Sequence, residues 1–164
     1  HEAEMLRAAN GVGVGPKLYA SSRNFVLMEL IEGGDLPEWV RRLRGPSDAD
    51  RLRGALANLL AQCRALDRIG LDHGELSRAS RHVLVDSADR PVILDFESAS
   101  LFRRPSNVTS LCQYLFVAGI SRDVERVMGP GAFDRARVLE ALRAYKEGPS
   151  EEAFKKLLEA CGLA

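Results

Sequence analysis

Residues 92–100 read VILDFESAS. Apolar β-formers run up to Asp95, and Glu97 follows two residues later. In a strand, residues two apart share a face, so the alternation puts Asp95 and Glu97 on the same side. A carboxylate at the end of an apolar strand is costly to bury unless something pairs with it. Two like charges there need a partner.

The residues just upstream supply candidates. HVLVD (82–86) and PVILD (91–95) read as two short strands, with Ser87 to Arg90 as their turn. Before them stands a polar stretch, LDHGELSRASRH, carrying His73, Glu75, Ser77, Arg78, Arg81 and His82. Before that comes the longest helical pattern. It opens at Ser47–Asp48 and runs to about Ile69, with Leu52, Leu59, Leu60, Cys63 and Leu66 at core spacing. If the hairpin folds back, loop and acidic turn lie side by side, and Glu75, His82, Asp95 and Glu97 surround one spot. Oxygen ligands of that kind suit Mg2+, which binds through one or two carboxylates plus substrate phosphates. The competing reading is that acids in turns are simply solvated. His73 taken alone reads as a hydrogen-bonded structural histidine.

Toward the N-terminus, His1 to Ala9 reads as a helix with Met5, Leu6 and Ala9 on one side. GVGVGP (11–16) lacks the spacing of a phosphate loop and reads as a helix stop and turn. KLYASS and NFVLMELI are two strands joined near Ser22–Arg23–Asn24, ending near Ile31. EGGDL interrupts the pattern and opens a helix from Asp35 to about Leu43. Beyond Pro105 the chain is helical: NVTSLCQYLFVAGI, then about 122–127, 132–146 and 151–160. Strands come early and helices late, so the class is α+β.

Composition excludes several functions. The chain has 164 residues and a net charge of zero, which makes no electrostatic case for nucleic acid or an anionic membrane. No apolar stretch is long enough to span a bilayer and no signal peptide is evident. The three cysteines, Cys63, Cys112 and Cys161, form no CxxC pair and sit in apolar helical patterns. They read as core residues of a reducing compartment, the cytoplasm.

The order of parts resembles the protein kinase-like fold over most of the chain. HGEL (73–76) resembles a kinase catalytic loop, DFES (95–98) the DFG metal-binding motif, and VLMELIEGGDL (26–36) the last small-lobe strand, hinge and following helix. EAEML (2–6) resembles the C-helix. The whole is most similar to small archaeal serine/threonine kinases related to the RIO-type atypical lineage, for which HGEL, IIDFESAS and NVTSL are the associated pattern. The resemblance implies a partial small lobe with hinge over 1–31 and a helical large lobe with the catalytic-loop hairpin over 32–164.

It also implies roles. Glu75 takes the place of the catalytic aspartate that accepts the substrate hydroxyl proton, and Asp95 that of the metal-chelating aspartate. The metal-binding asparagine has two candidates, Ser80 by count from His73 and His82 by count back from the strand. His82 is preferred. Met28 would be the gatekeeper, the Glu29 carbonyl and Ile31 amide would meet adenine, Asp35 the ribose, and Glu2 would pair with a phosphate-binding lysine. The implied cofactors are Mg2+ and ATP. The implied partner is a protein or small-molecule phosphoacceptor, its identity open.

Three departures stand against this pattern. Glutamate replaces aspartate at position 75, and one methylene moves the carboxylate by about 1 Å, a shift that can cost on the order of 10²-fold in rate. FRRPSNVTSL passes quickly into a helix, which leaves no long activation segment. No glycine-rich loop or strand lysine precedes the C-helix; the four lysines are Lys17, Lys146, Lys155 and Lys156. The expectation is an ATP-dependent phosphotransferase whose N-terminal segment lies outside these residues, inactive by itself. The alternative is a pseudokinase or binding scaffold.

Overall fold

The computed structural model describes residues 1–164. Helix α1 (Glu2–Asn10) leads into an antiparallel pair, β1 (Leu18–Ser21) and β2 (Val26–Met28). A second antiparallel sheet has the order β3 (Gly33–Asp35), β4 (Val83–Asp86), β5 (Pro91–Ile93). The helices are α2 (Leu36–Arg42), α3 (Ala49–Arg68), α4 (Asn107–Phe116), α5 (Ser121–Met128), α6 (Arg135–Glu147) and α7 (Glu151–Ala160). The chain is α+β, and its parts follow one another in the order read from the sequence.

The core is built on α3. Leu52, Leu56, Leu59, Leu60, Cys63 and Leu66 are fully buried along one stripe of that helix. Each such leucine contributes roughly 1.5–3 kcal/mol of transfer free energy. α4 and α5 pack on the same helix, while α6 and α7 pair beside α4. No helix is long and apolar enough to cross a membrane.

Local chemistry explains the element ends. Asp35 caps α2, its Oδ1 accepting the Glu38 N–H at 2.9 Å. In the β4–β5 turn, Asp86 Oδ1 accepts the amides of Ala88 at 2.8 Å and Arg90 at 3.0 Å. Asp89 adopts φ +60° there, and its carboxylate takes Arg51 Nε at 2.9 Å and Trp39 Nε1 at 3.2 Å. The hairpin is thereby tied to α2 and α3.

Several expectations need correction. Residues 33–35, read as a break in the pattern, form strand β3 against β4, with Gly33 opposite Asp86 and Asp35 opposite Leu84. A Cβ on Gly33 would collide with the Val85 carbonyl, so only glycine lets the two backbones come this close. The first strand pair ends at Met28 rather than near Ile31. β5 ends at Ile93, and Asp95 has φ +64°, in the left-handed region. The alternation therefore stops before Asp95, and the shared face expected for Asp95 and Glu97 does not form. Asp95 is carried by irregular backbone after the strand, not by the strand itself. The cysteines are buried as expected, but two of them meet: Cys112 Sγ lies 3.5 Å from Cys161 Sγ.

Candidate functional site

A short 3-10 segment, Leu76–Arg81, bridges Glu75 and β4, and the hairpin returns the chain to Asp95. The two ends of the hairpin are locked together, because the Leu94 N–H donates to the His82 carbonyl at 2.8 Å. This brings Glu75, His82 and Asp95 around one point, with one possible ligand atom from each within 4.8 Å of the others. His82 Nδ1 lies 3.5 Å from Asp95 Oδ2, and His82 Nε2 lies 3.8 Å from Glu75 Oε2. The His82 side chain is 8% exposed, against 32% for Glu75 and 41% for Asp95. The carboxylates thus face the opening and the imidazole forms the floor.

His82 Nδ1 is buried without a hydrogen-bond partner. Asp95 is near enough but not aligned to serve as one, so the nearby charge does not satisfy the nitrogen. A buried polar atom left unpaired costs about 1–3 kcal/mol. The donor set of one nitrogen and two carboxylates, with an unsatisfied ring nitrogen among them, fits a divalent cation. Glu75, His82 and Asp95 each offer one atom that could hold it. Glu97 is exposed and stands outside the cluster; its N–H donates to Asp95 Oδ1 at 3.4 Å.

Behind the floor runs an aromatic column. His73 packs against His82 with ring centroids 5.4 Å apart, and Phe96 meets His73 edge-on at 5.2 Å. Phe96 is buried beside Leu6 of α1 and Gly15, where an added Cβ would stand 2.9 Å from Leu6 and 3.1 Å from Phe96. His73 is structural, as expected: its Nε2 meets the Leu94 carbonyl at 2.8 Å. Burial holds this imidazole below its usual pKa, with the Leu94 hydrogen bond opposing that shift.

Residues that sequence reading did not single out hold the loop in shape. Asn107, in the first turn of α4, accepts the His73 N–H at 2.8 Å and donates to the Leu71 carbonyl at 2.6 Å and to Asp67 Oδ1 at 2.9 Å. Burial pushes the Asp67 carboxyl up, and hydrogen bonds from Tyr145 and Asn107 pull it back. Asp72, also buried, takes Arg103 Nε at 2.7 Å and the Ser106 amide at 3.0 Å. Arg103 crosses directly over Gly74, which has φ +94° and whose missing Cβ leaves room for it. The only signal of these roles was the NVTSL run, quoted above for its resemblance and not for its contacts.

The residues expected at nucleotide lie along α1, around the end of β2 and at the start of α2. Glu29 Oε1 accepts the Lys17 amide at 3.1 Å. Glu29 and Ile31 line a cavity with Gly13, Gln62 and Arg90, whose walls include none of Glu75, His82 or Asp95. Met28 packs half-buried on the core at the end of β2. Asp35 is engaged as the α2 cap. Glu2 lies half-buried in the first turn of α1, next to His1, whose Nε2 reaches the Ala99 carbonyl at 2.8 Å. α1 therefore touches the segment that follows Asp95.

No protein-family model matches the chain, and no curated protein matches it. Among solved structures it is similar to the Rio2 kinase of Chaetomium thermophilum in an ADP/Mg2+-phosphoaspartate complex. Identity is 21% and the TM-score 0.49, over 97% of this chain and 51% of that one. A second structure of Rio2 kinase from the same organism is similar at 20% identity and a TM-score of 0.47, over 97% and 52% of the two chains. The chain spans about half the length of these structures.

Proposed function

We propose that this chain carries the metal- and proton-handling part of an ATP-dependent phosphotransferase of the atypical serine/threonine kinase class. The observation that carries the reading is the convergence of Glu75, His82 and Asp95 from three segments around the unsatisfied His82 Nδ1. A bound Mg2+ would neutralise charge on the nucleotide phosphates. Asp95 and His82 hold that position. Glu75, a third exposed, is placed to accept a proton from an incoming hydroxyl. The column of His82, His73 and Phe96 keeps the floor rigid, which preserves the geometry such a transfer needs.

Calorimetric titration of residues 1–164 with Mg-ATP tests the nucleotide half. Binding weaker than about 1 μM is expected, since the residues at hand include no glycine-rich phosphate loop or strand lysine. Sub-micromolar binding would contradict that account of the phosphate contacts. ATP turnover by the longest product of the reading frame tests the chemistry.

One observation favours the second reading, a binding module without catalysis. Asp35, expected at the ribose, spends its side chain on the Glu38 amide as the cap of α2. Absence of nucleotide binding with any divalent ion in the longest product of the reading frame would favour that reading.

A further inference from the structure

We infer that the His82–Asp95 pair prefers a first-row transition ion such as Mn2+ or Zn2+ to Mg2+. This rests on the reading above, in which Asp95 and His82 are the metal pair. Mg2+ demands oxygen ligands and gives up its water reluctantly, whereas imidazole nitrogen suits transition ions. One of the two protein ligands at this position is imidazole, and it is the better fixed of the two. His82 is 6% exposed and backed by His73 at 5.4 Å, while Asp95 sits on irregular backbone after β5.

The ring is also oriented for the purpose. Its Nε2 stands 3.8 Å from Glu75 Oε2 and its Nδ1 3.5 Å from Asp95 Oδ2, so a ring nitrogen faces each carboxylate across the opening. Nδ1 is the buried atom that no protein group satisfies. An oxygen-only ion would leave that nitrogen poorly used, and a transition ion would not.

The test is titration of the nucleotide-free chain with Mn2+, Zn2+ and Mg2+, with electron spin-echo spectroscopy of the Mn2+ complex to detect a bound nitrogen. The expected result is a nitrogen coupling, with Mn2+ held at least about tenfold tighter than Mg2+, within the range that ligand-shell changes produce. His82→Asn should keep the fold by circular dichroism, lose the nitrogen coupling and erase the preference. His82→Ala should lose the coupling and weaken Mn2+ binding. Equal Mn2+ and Mg2+ affinity in the parent, or a coupling that survives in His82→Ala, overturns the inference. Nucleotide titration separates this from the functional reading. In the longest product of the reading frame, a nitrogen-coupled Mn2+ site that binds no nucleotide sinks the phosphotransferase and keeps the metal preference. Mg-ATP bound as tightly as Mn-ATP, with both unaffected by His82→Asn, does the reverse.

Discussion

The side-chain oxygen of Asn107 accepts the main-chain N–H of His73 at 2.8 Å, across 34 residues of sequence. Through this bond and its bonds to Leu71 and Asp67, α4 sets the position of the loop that presents Glu75. Asn107→Leu should therefore leave a buried amide and a buried carbonyl unpaired. The expected loss is about 3 kcal/mol, from roughly 1–3 kcal/mol per orphaned group. Urea denaturation measures it, and a loss within about 0.5 kcal/mol of zero, the usual range for surface changes, would mean the anchor is dispensable.

Gly74 is the residue that lets Arg103 reach Asp72. Its φ is +94°, and an added Cβ would lie 2.5 Å from Arg103 Nη2 and 3.0 Å from the Ser98 carbonyl. Gly74→Ala should cost about 1–3 kcal/mol in backbone strain. It should also displace Arg103, with weaker Mn2+ binding at the neighbouring cluster. Unchanged thermal stability and unchanged Mn2+ affinity together would refute the assignment.

The three acidic residues near the site should separate by role. In the longest product of the reading frame, Asp95→Asn should abolish Mg2+-dependent phosphate transfer, and Glu75→Gln should match it. Glu97→Gln should reduce transfer far less, because Glu97 stands outside the cluster. Parent-like rates in all three variants would remove the enzymatic reading.

His73 should impose an acid limit on stability. Burial lowers its folded-state pKa below the usual 6.5, so below that pH the unfolded chain binds a proton that the folded chain refuses. Stability is then complete above pH 6.5 and declines as pH falls toward the lowered folded value. The slope from this one group is at most about 1.4 kcal/mol per pH unit. His73→Gln should flatten the decline in melting temperature between pH 6.5 and pH 5 relative to the parent. An identical acid limb in both proteins would show that His73 does not set it.

Much of this protein could be read locally. The leucine spacing of α3 and the β4–β5 turn with its Asp86–Arg90 hydrogen bonds are statements about neighbours in sequence, and period and turn chemistry express them directly. The same holds for the α2 cap at Asp35. The hairpin reading was enough to bring His82 and Asp95 to one place, because antiparallel pairing joins the two ends of a short loop whatever surrounds it. The sequence could not say that the strand alternation would stop at Ile93, where the left-handed Asp95 is followed by Phe96 buried in the core. Nor could it show that two glycines read as a break would form a strand, because their conformation depends on the Val85 backbone, about fifty residues away. The Asn107 anchor, the Cys112–Cys161 contact and the use of Glu29 to hold the Lys17 amide belong to the same class. Each is a pairing between segments that no local preference specifies, decided only when burial forces every polar group to find a partner in three dimensions.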